Sequence, residues 1–173
     1  MRTIELPVTM EWTPEMLESL PREYRYEVIE GRLIMAAAAM RAWHGRTLYR
    51  VLHLLTAQGL EAYPETGLVV GPGEVYSPDV GVLRDPSAPQ IAYHPAREFE
   101  LVVEIVSPDS RTADRITKPL KYADAGIPEY WRVEEDDDGE AVVYQHRLVR
   151  EAGVARYAEA RVVLLSTLEK ESL

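Results

Sequence analysis

The spacing of apolar residues along this chain changes several times, and each change marks an element. Thr13-Pro14-Glu15 opens a short helix, with Thr13 as N-cap and Pro14 at the first helical position, ending near Leu20-Pro21. Tyr26 to Ile29 and Arg32 to Met35 read as two short strands joined at Glu30-Gly31. From Met40 to Gln58, Leu48, Val51, Leu52 and Leu55 recur at spacings of three and four; this predicts the longest helix, with one apolar stripe, capped by Gly59. Residues 67–75 predict one strand with glycines near its ends, and Val80 to Leu83 another. Residues 85–95 hold three prolines and predict a loop. Phe99 to Val106 is an almost continuous apolar run, the pattern of a central strand covered on both faces. Pro119 to Ala125 predicts a short helix that Gly126 caps and Pro128 blocks. Tyr130 to Val133 predicts a strand, and residues 141–148 and 154–165 a closing antiparallel region. Strands mixed with two main helices predict one α/β sandwich. We divide it into an N-terminal helical extension over residues 1–21 and a single domain over residues 22–173.

Composition narrows the classes. A chain of 173 residues with 46% hydrophobic and 28% charged residues can bury one real core. No segment approaches the ~20 apolar residues that span a bilayer, and the N-terminus lacks the apolar stretch and cleavage site of a secretory signal. There is no cysteine, which excludes disulfides and thiolate metal sites. The expectation is a soluble, cytoplasmic protein that does not engage a membrane. A net charge of -10 argues against a surface that coats nucleic acid broadly, because phosphate neutralisation needs Lys and Arg. It leaves room for an enzyme that meets a phosphodiester locally through a divalent cation. The acidic run Glu134-Glu135-Asp136-Asp137-Asp138, closed by Gly139, reads as a solvated turn and lacks the calcium-loop pattern.

The chemistry concentrates in Leu101-Val102-Val103-Glu104-Ile105-Val106. An ionised carboxylate in such a strand costs several kcal/mol if unpaired, so Glu104 needs a metal, a cation, a proton or an opening to solvent. A salt bridge would satisfy it as well as a metal. Asp79 shifts the balance, because it opens a second apolar strand after Pro78. Two carboxylates at similar depth on adjacent strands can hold one hard cation, and magnesium needs no more than one or two of them beside its waters. Asp79 read alone would be a turn residue after proline.

Pro78-Asp79, followed about 25 residues later by Glu104-Ile105-Val106, resembles the PD-(D/E)XK signature of restriction endonuclease-like nucleases. Val106 stands where that pattern usually has Lys. The surrounding words resemble the Uma-type restriction endonuclease family, a domain family of largely unknown function. They are Tyr26-Glu27 with Glu30-Gly31, His44, Pro78-Asp79, Val103 to Pro108, Asp114, Lys118, Tyr122 and Gly126 to Trp131, over about residues 22 to 150. The resemblance implies a restriction endonuclease-like core, a mixed central β-sheet flanked by helices. It implies a Mg²⁺- or Mn²⁺-dependent endonuclease cutting nucleic acid, DNA in particular. Asp79, Glu104 and the main-chain carbonyl of Ile105 would hold the metal.

In this family the motif lysine is placed four residues after Asp and four before Tyr, which is Lys118 here. Lys118 would reach the scissile phosphate or position the attacking water; its plain alternative is an i,i+4 pair with Asp114. Pro119 disfavours helical geometry at Lys118, which leaves Lys121 as an alternative one turn on. Glu27 matches the early acidic position and would be a further metal or water ligand, or a plain strand residue. His44 is expected before the long helix, as a phosphate contact or, better supported, as a helix-terminus residue without a catalytic part. Tyr130 and Trp131 are expected in the core. Nucleases that cut both strands are commonly dimers, so a homodimer is an expectation that the sequence does not establish. The alternative function is a non-catalytic nuclease-fold module that binds protein or nucleic acid; Val106 and the acidic surface favour it.

Overall fold

A computed structural model of the chain describes residues 11–21, 23–37, 41–85, 92–108 and 110–172. Met40, residues 1–10 of the N-terminal extension and the middle of the proline-rich loop lie outside these residues. Helix α1 (Pro14–Glu18) starts as its cap predicts, with Thr13 Oγ1 accepting from Met16 N at 3.4 Å. It buries Leu17 and, just beyond, Leu20 against Tyr26, Val28 and Val75. Strands β1 (Tyr24–Ile29) and β2 (Arg32–Ala37) pair in register from Tyr24↔Ala37 to Ile29↔Arg32, longer than the apolar pattern alone indicated. Helix α2 (Ala42–Ala57) buries Val51, Leu54 and Leu55.

A short strand, β3 (Ala62–Pro64), follows. The single strand expected over residues 67–75 is instead a hairpin, β4 (Gly67–Gly71) and β5 (Glu74–Tyr76). Pro72 has no N–H for a ladder and Gly73 takes φ +67°, so the chain turns there. Next come β6 (Val80–Leu83), β7 (Tyr93–Pro95) and β8 (Phe99–Ile105). Strand β7 lies inside the expected loop. Helix α3 (Lys118–Asp124) leads to β9 (Glu129–Glu135), β10 (Ala141–Glu151), β11 (Val154–Leu164) and α4 (Leu165–Glu171). Strand β3 and helix α4 had no distinct signal in the apolar pattern.

The strands form two sheets, ordered β2-β1-β5-β4-β7 and β11-β10-β9-β8-β6-β3. Both are mixed: β4/β7 and β8/β9 are parallel and the other pairs antiparallel. The architecture is therefore α/β with mixed sheets flanked by helices, as expected, the strands being divided between two sheets. Strand β8 is central in the second sheet, between β6 and β9, which explains its almost continuous apolar run. Leu101, Val103 and Ile105 pack with Val80, Val82 and the α2 residues. Val102 packs instead with Tyr76, Tyr122, Ile127 and Tyr130. Alternation along a strand puts Glu104 on the Val102 face and Asp79 on the matching face of β6.

Lys118 is helical, at φ −62° and ψ −46°, against the expectation that Pro119 would push it out. The reason lies upstream. The helix already runs through a π-helical turn, Ala113–Thr117, in which Lys118 N–H bonds Ala113 O. The next bond of that type would need an N–H at Pro119, which has none, so Asp114 O accepts from the Tyr130 hydroxyl at 2.5 Å instead.

Candidate active site

The register Val80↔Val103 between antiparallel β6 and β8 carries Asp79 to the position across from Glu104. The two strands are tied there: Ile105 N–H donates to Asp79 Oδ2 at 2.7 Å. Asp79 Oδ2 also lies 3.3 Å from His44 Nε2, and Asp79 Oδ1 accepts from Arg25 Nη1 at 3.2 Å. Burial pushes the Asp79 carboxyl up, but the His44 hydrogen bond, the Arg25 charge and the Ile105 N–H outweigh it and hold it below its ordinary value.

Glu104 is 2% exposed. Its Oε1 accepts from Lys118 Nζ at 3.1 Å and from the Tyr122 hydroxyl at 2.7 Å. Burial drives its carboxyl up to about 8; Lys118 pulls it down, while Asp114, Asp79 and Glu27 push it further up. Lys118 is also shared, with Asp114 Oδ1 at 3.2 Å and Glu27 Oε1 at 3.5 Å. Desolvation works against its charge, yet the three carboxylates win and keep the ammonium protonated far above its ordinary value. Burial raises the Asp114 carboxyl too. Lys121, the alternative lysine, turns away to Glu74 Oε1 at 2.7 Å.

These groups line one cleft of about 550 Å³. Glu27, Asp79, Glu104 and Asp114 face Arg25 and Lys118 in it, so acidic side chains outnumber permanent cations. Among the described residues, no group of three or more His, Asp or Glu side chains is arranged to hold a metal ion. The donor set nevertheless fits a hard divalent cation: two buried carboxylates from adjacent strands, in a cleft where acids outnumber permanent cations.

Asp79, Glu104, Ile105, Lys118 and Glu27 are thus all at the cleft. Two more residues belong there. His44 is not before the long helix but within its first turn, buried and directed at Asp79. Arg25 was not singled out from sequence, although the signal existed: it lies two residues before Glu27, and strand alternation puts both on one face.

The family model described as "Putative restriction endonuclease", Uma2, matches residues 14–171. The chain belongs to the Uma2 family. A crystal structure from Anabaena variabilis ATCC 29413, titled "a putative nuclease belonging to DUF820", superposes with a TM-score of 0.60 at 18% identity, over 94% of this chain and 99% of that one. That likeness shows a shared fold. No curated protein matches the sequence. Family membership supports a nuclease with a nucleic-acid substrate, in a superfamily that generally uses divalent metals. Among the described residues, no helix of this Uma2 chain is long and apolar enough to cross a membrane.

Proposed function

We propose that this Uma2 chain is a divalent-metal-dependent endonuclease that hydrolyses nucleic-acid phosphodiesters, DNA first among them, at the Asp79–Glu104–Lys118 cleft. One observation carries the reading: two buried carboxylates on adjacent strands share a face with a buried lysine, in a cleft with an excess of acid. A cytoplasmic location and a homodimer belong to the same proposal.

Asp79 and Glu104, with the main-chain carbonyl of Ile105, would hold one Mg²⁺ or Mn²⁺. When bound, such an ion supplies a water of lowered pKa and offsets charge on the phosphoryl oxygens. The chain's own groups do the rest. Lys118 stays protonated and presents fixed charge to the phosphate. Tyr122 holds the Glu104 carboxyl in place through its hydroxyl. Glu27, whose side chain is 20% exposed, is the most open of the acids around Lys118 and is placed to orient the attacking water. Asp114, one turn before Lys118, holds its ammonium at 3.2 Å.

A second reading has its own support. Arg25 and Lys118 already satisfy Asp79 and Glu104 without a metal, as a non-catalytic module would need. Incubating the purified protein with plasmid, single-stranded DNA and RNA, in Mg²⁺, Mn²⁺ or EDTA, separates the two. The nuclease cuts only with metal, and Glu104→Ala abolishes cutting. Tight binding without cutting in every metal identifies the module.

A further inference from the structure

Arg25 stands between two spaces. It lines the acidic cleft, and it also lines a neighbouring groove of about 540 Å³ walled by Tyr24, Tyr26, Glu65, Ser77 and Tyr93. Its guanidinium is divided accordingly. Nη1 donates to Asp79 Oδ1 at 3.2 Å, Nη2 donates to Ser77 O at 2.5 Å, and Nε lies 3.7 Å from Glu65 Oε1. The two oxygens of Asp79 are not equivalent. Oδ2 is tied to a main-chain N–H that cannot leave without breaking the β6–β8 edge, whereas Oδ1 is held by a side chain that can swing. A divalent cation arriving at Asp79 therefore competes with Arg25 for Oδ1, and like charge pushes the guanidinium away. The Arg25 side chain is 24% exposed and opens on the groove, so it has somewhere to go.

We propose that Arg25 is a transferable counter-ion: it neutralises Asp79 while the cleft is metal-free, and passes to a phosphate of a nucleic-acid strand in the neighbouring groove when the metal takes Asp79. The inference rests on the metal-dependent reading above. A planar guanidinium fork suits both partners, because carboxylate and phosphate each accept two parallel N–H donors. The site then stays stable when empty, and substrate contact follows metal occupancy. Tyr24, 37% exposed, lines the same groove, and a tyrosine ring can stack on a base without reading its sequence.

The test uses the whole chain, as wild type, Arg25→Gln and Arg25→Lys. Mn²⁺ is titrated against melting temperature, and a short fluorescein-labelled DNA is titrated by anisotropy in Ca²⁺ at several salt concentrations. Arg25→Gln should lower the Mn²⁺ concentration at half-effect by about tenfold, the scale expected for two linked occupancies. It should also weaken DNA binding and make the slope of log affinity against log salt shallower by about one. The Mn²⁺ gain should vanish in the Asp79→Asn background. If Arg25→Gln does not fold, Arg25→Lys carries the test, keeping the charge but not the fork: Mn²⁺ half-effect between the extremes, DNA binding reduced. Unchanged Mn²⁺ half-effect or unchanged DNA affinity in both variants overturns the transfer alone. Absence of any Mn²⁺ response in the wild type overturns the metal-dependent reading and this inference with it.

Discussion

Burial holds the Glu104 carboxyl up at about 8, so the folded chain keeps that proton to a higher pH than an unfolded chain would. A folded value above the ordinary 4.5 means that the stabilising difference is complete below that ordinary value and is lost as pH rises through about 8. Glu104→Gln imitates the protonated form. It should melt with the wild type near pH ~5 and above it near pH ~9, by up to a few kcal/mol, a difference read directly from paired thermal melts. Lys118 is not orphaned by that change, since Asp114 and Glu27 remain at 3.2 and 3.5 Å. The reverse substitution is harsher. Lys118→Met leaves three carboxyls around an uncharged side chain and should cost about 3–5 kcal/mol in urea melts near neutral pH.

At the scale of elements, the π-helical turn before α3 is what aims Lys118 into the cleft. It depends on Pro119, which withholds an N–H, and on Tyr130, whose hydroxyl takes the freed Asp114 carbonyl. Tyr130→Phe should leave that buried carbonyl unpaired, at a cost of ~1–3 kcal/mol. Pro119→Ala restores a donor in the helix, so the double variant should be less destabilised than the sum of the two single ones. Additive losses in a urea-melt cycle would disprove the link between Pro119 and Tyr130. Strand β6 is equally constrained, because a Cβ on Gly81 would lie 2.6 Å from the Phe99 ring. Gly81→Ala should destabilise by ~1–3 kcal/mol through overpacking beside Asp79.

For the molecule as a whole, the site is where the two sheets and two helices meet. Arg25 and Glu27 come from the first sheet, Asp79 and Glu104 from the second, His44 from α2 and Lys118 from α3. An ion bound only by the folded chain stabilises by RT ln(1 + [L]/Kd), roughly 2.7 kcal/mol at a hundredfold excess. Mn²⁺ or Mg²⁺ should therefore raise the melting temperature of the wild type, and Asp79→Asn or Glu104→Gln should abolish the rise. With a net charge of -10 and an acid-rich cleft, binding to DNA should be weak in EDTA and strengthen on adding Mg²⁺, as fluorescence anisotropy would record.

The sequence by itself determined most elements and the identity of the acids. The run from Phe99 to Val106 has the pattern of a covered central strand, and a Glu inside it had to be compensated by something. Its place before a second apolar strand picked out Asp79, the resemblance to the Uma-type family pointed to Lys118 and Glu27 as companions, and the cap at Thr13-Pro14 was plain. Tertiary structure decided the rest, because the deciding contacts join residues distant in the chain. Arg25 reaches Asp79 across 54 positions; alternation with Glu27 marks its face of β1, but only the assembled sheets bring that face to the acid. The direction of Lys118 followed from a π-helical turn that joins its proline neighbour to a hydroxyl on β9, and Glu74 drew Lys121 away. Residues 67–76 hold a hairpin because β5 finds an edge on β1 and β4 finds one on β7, and such pairing depends on edges that exist only once both sheets are assembled.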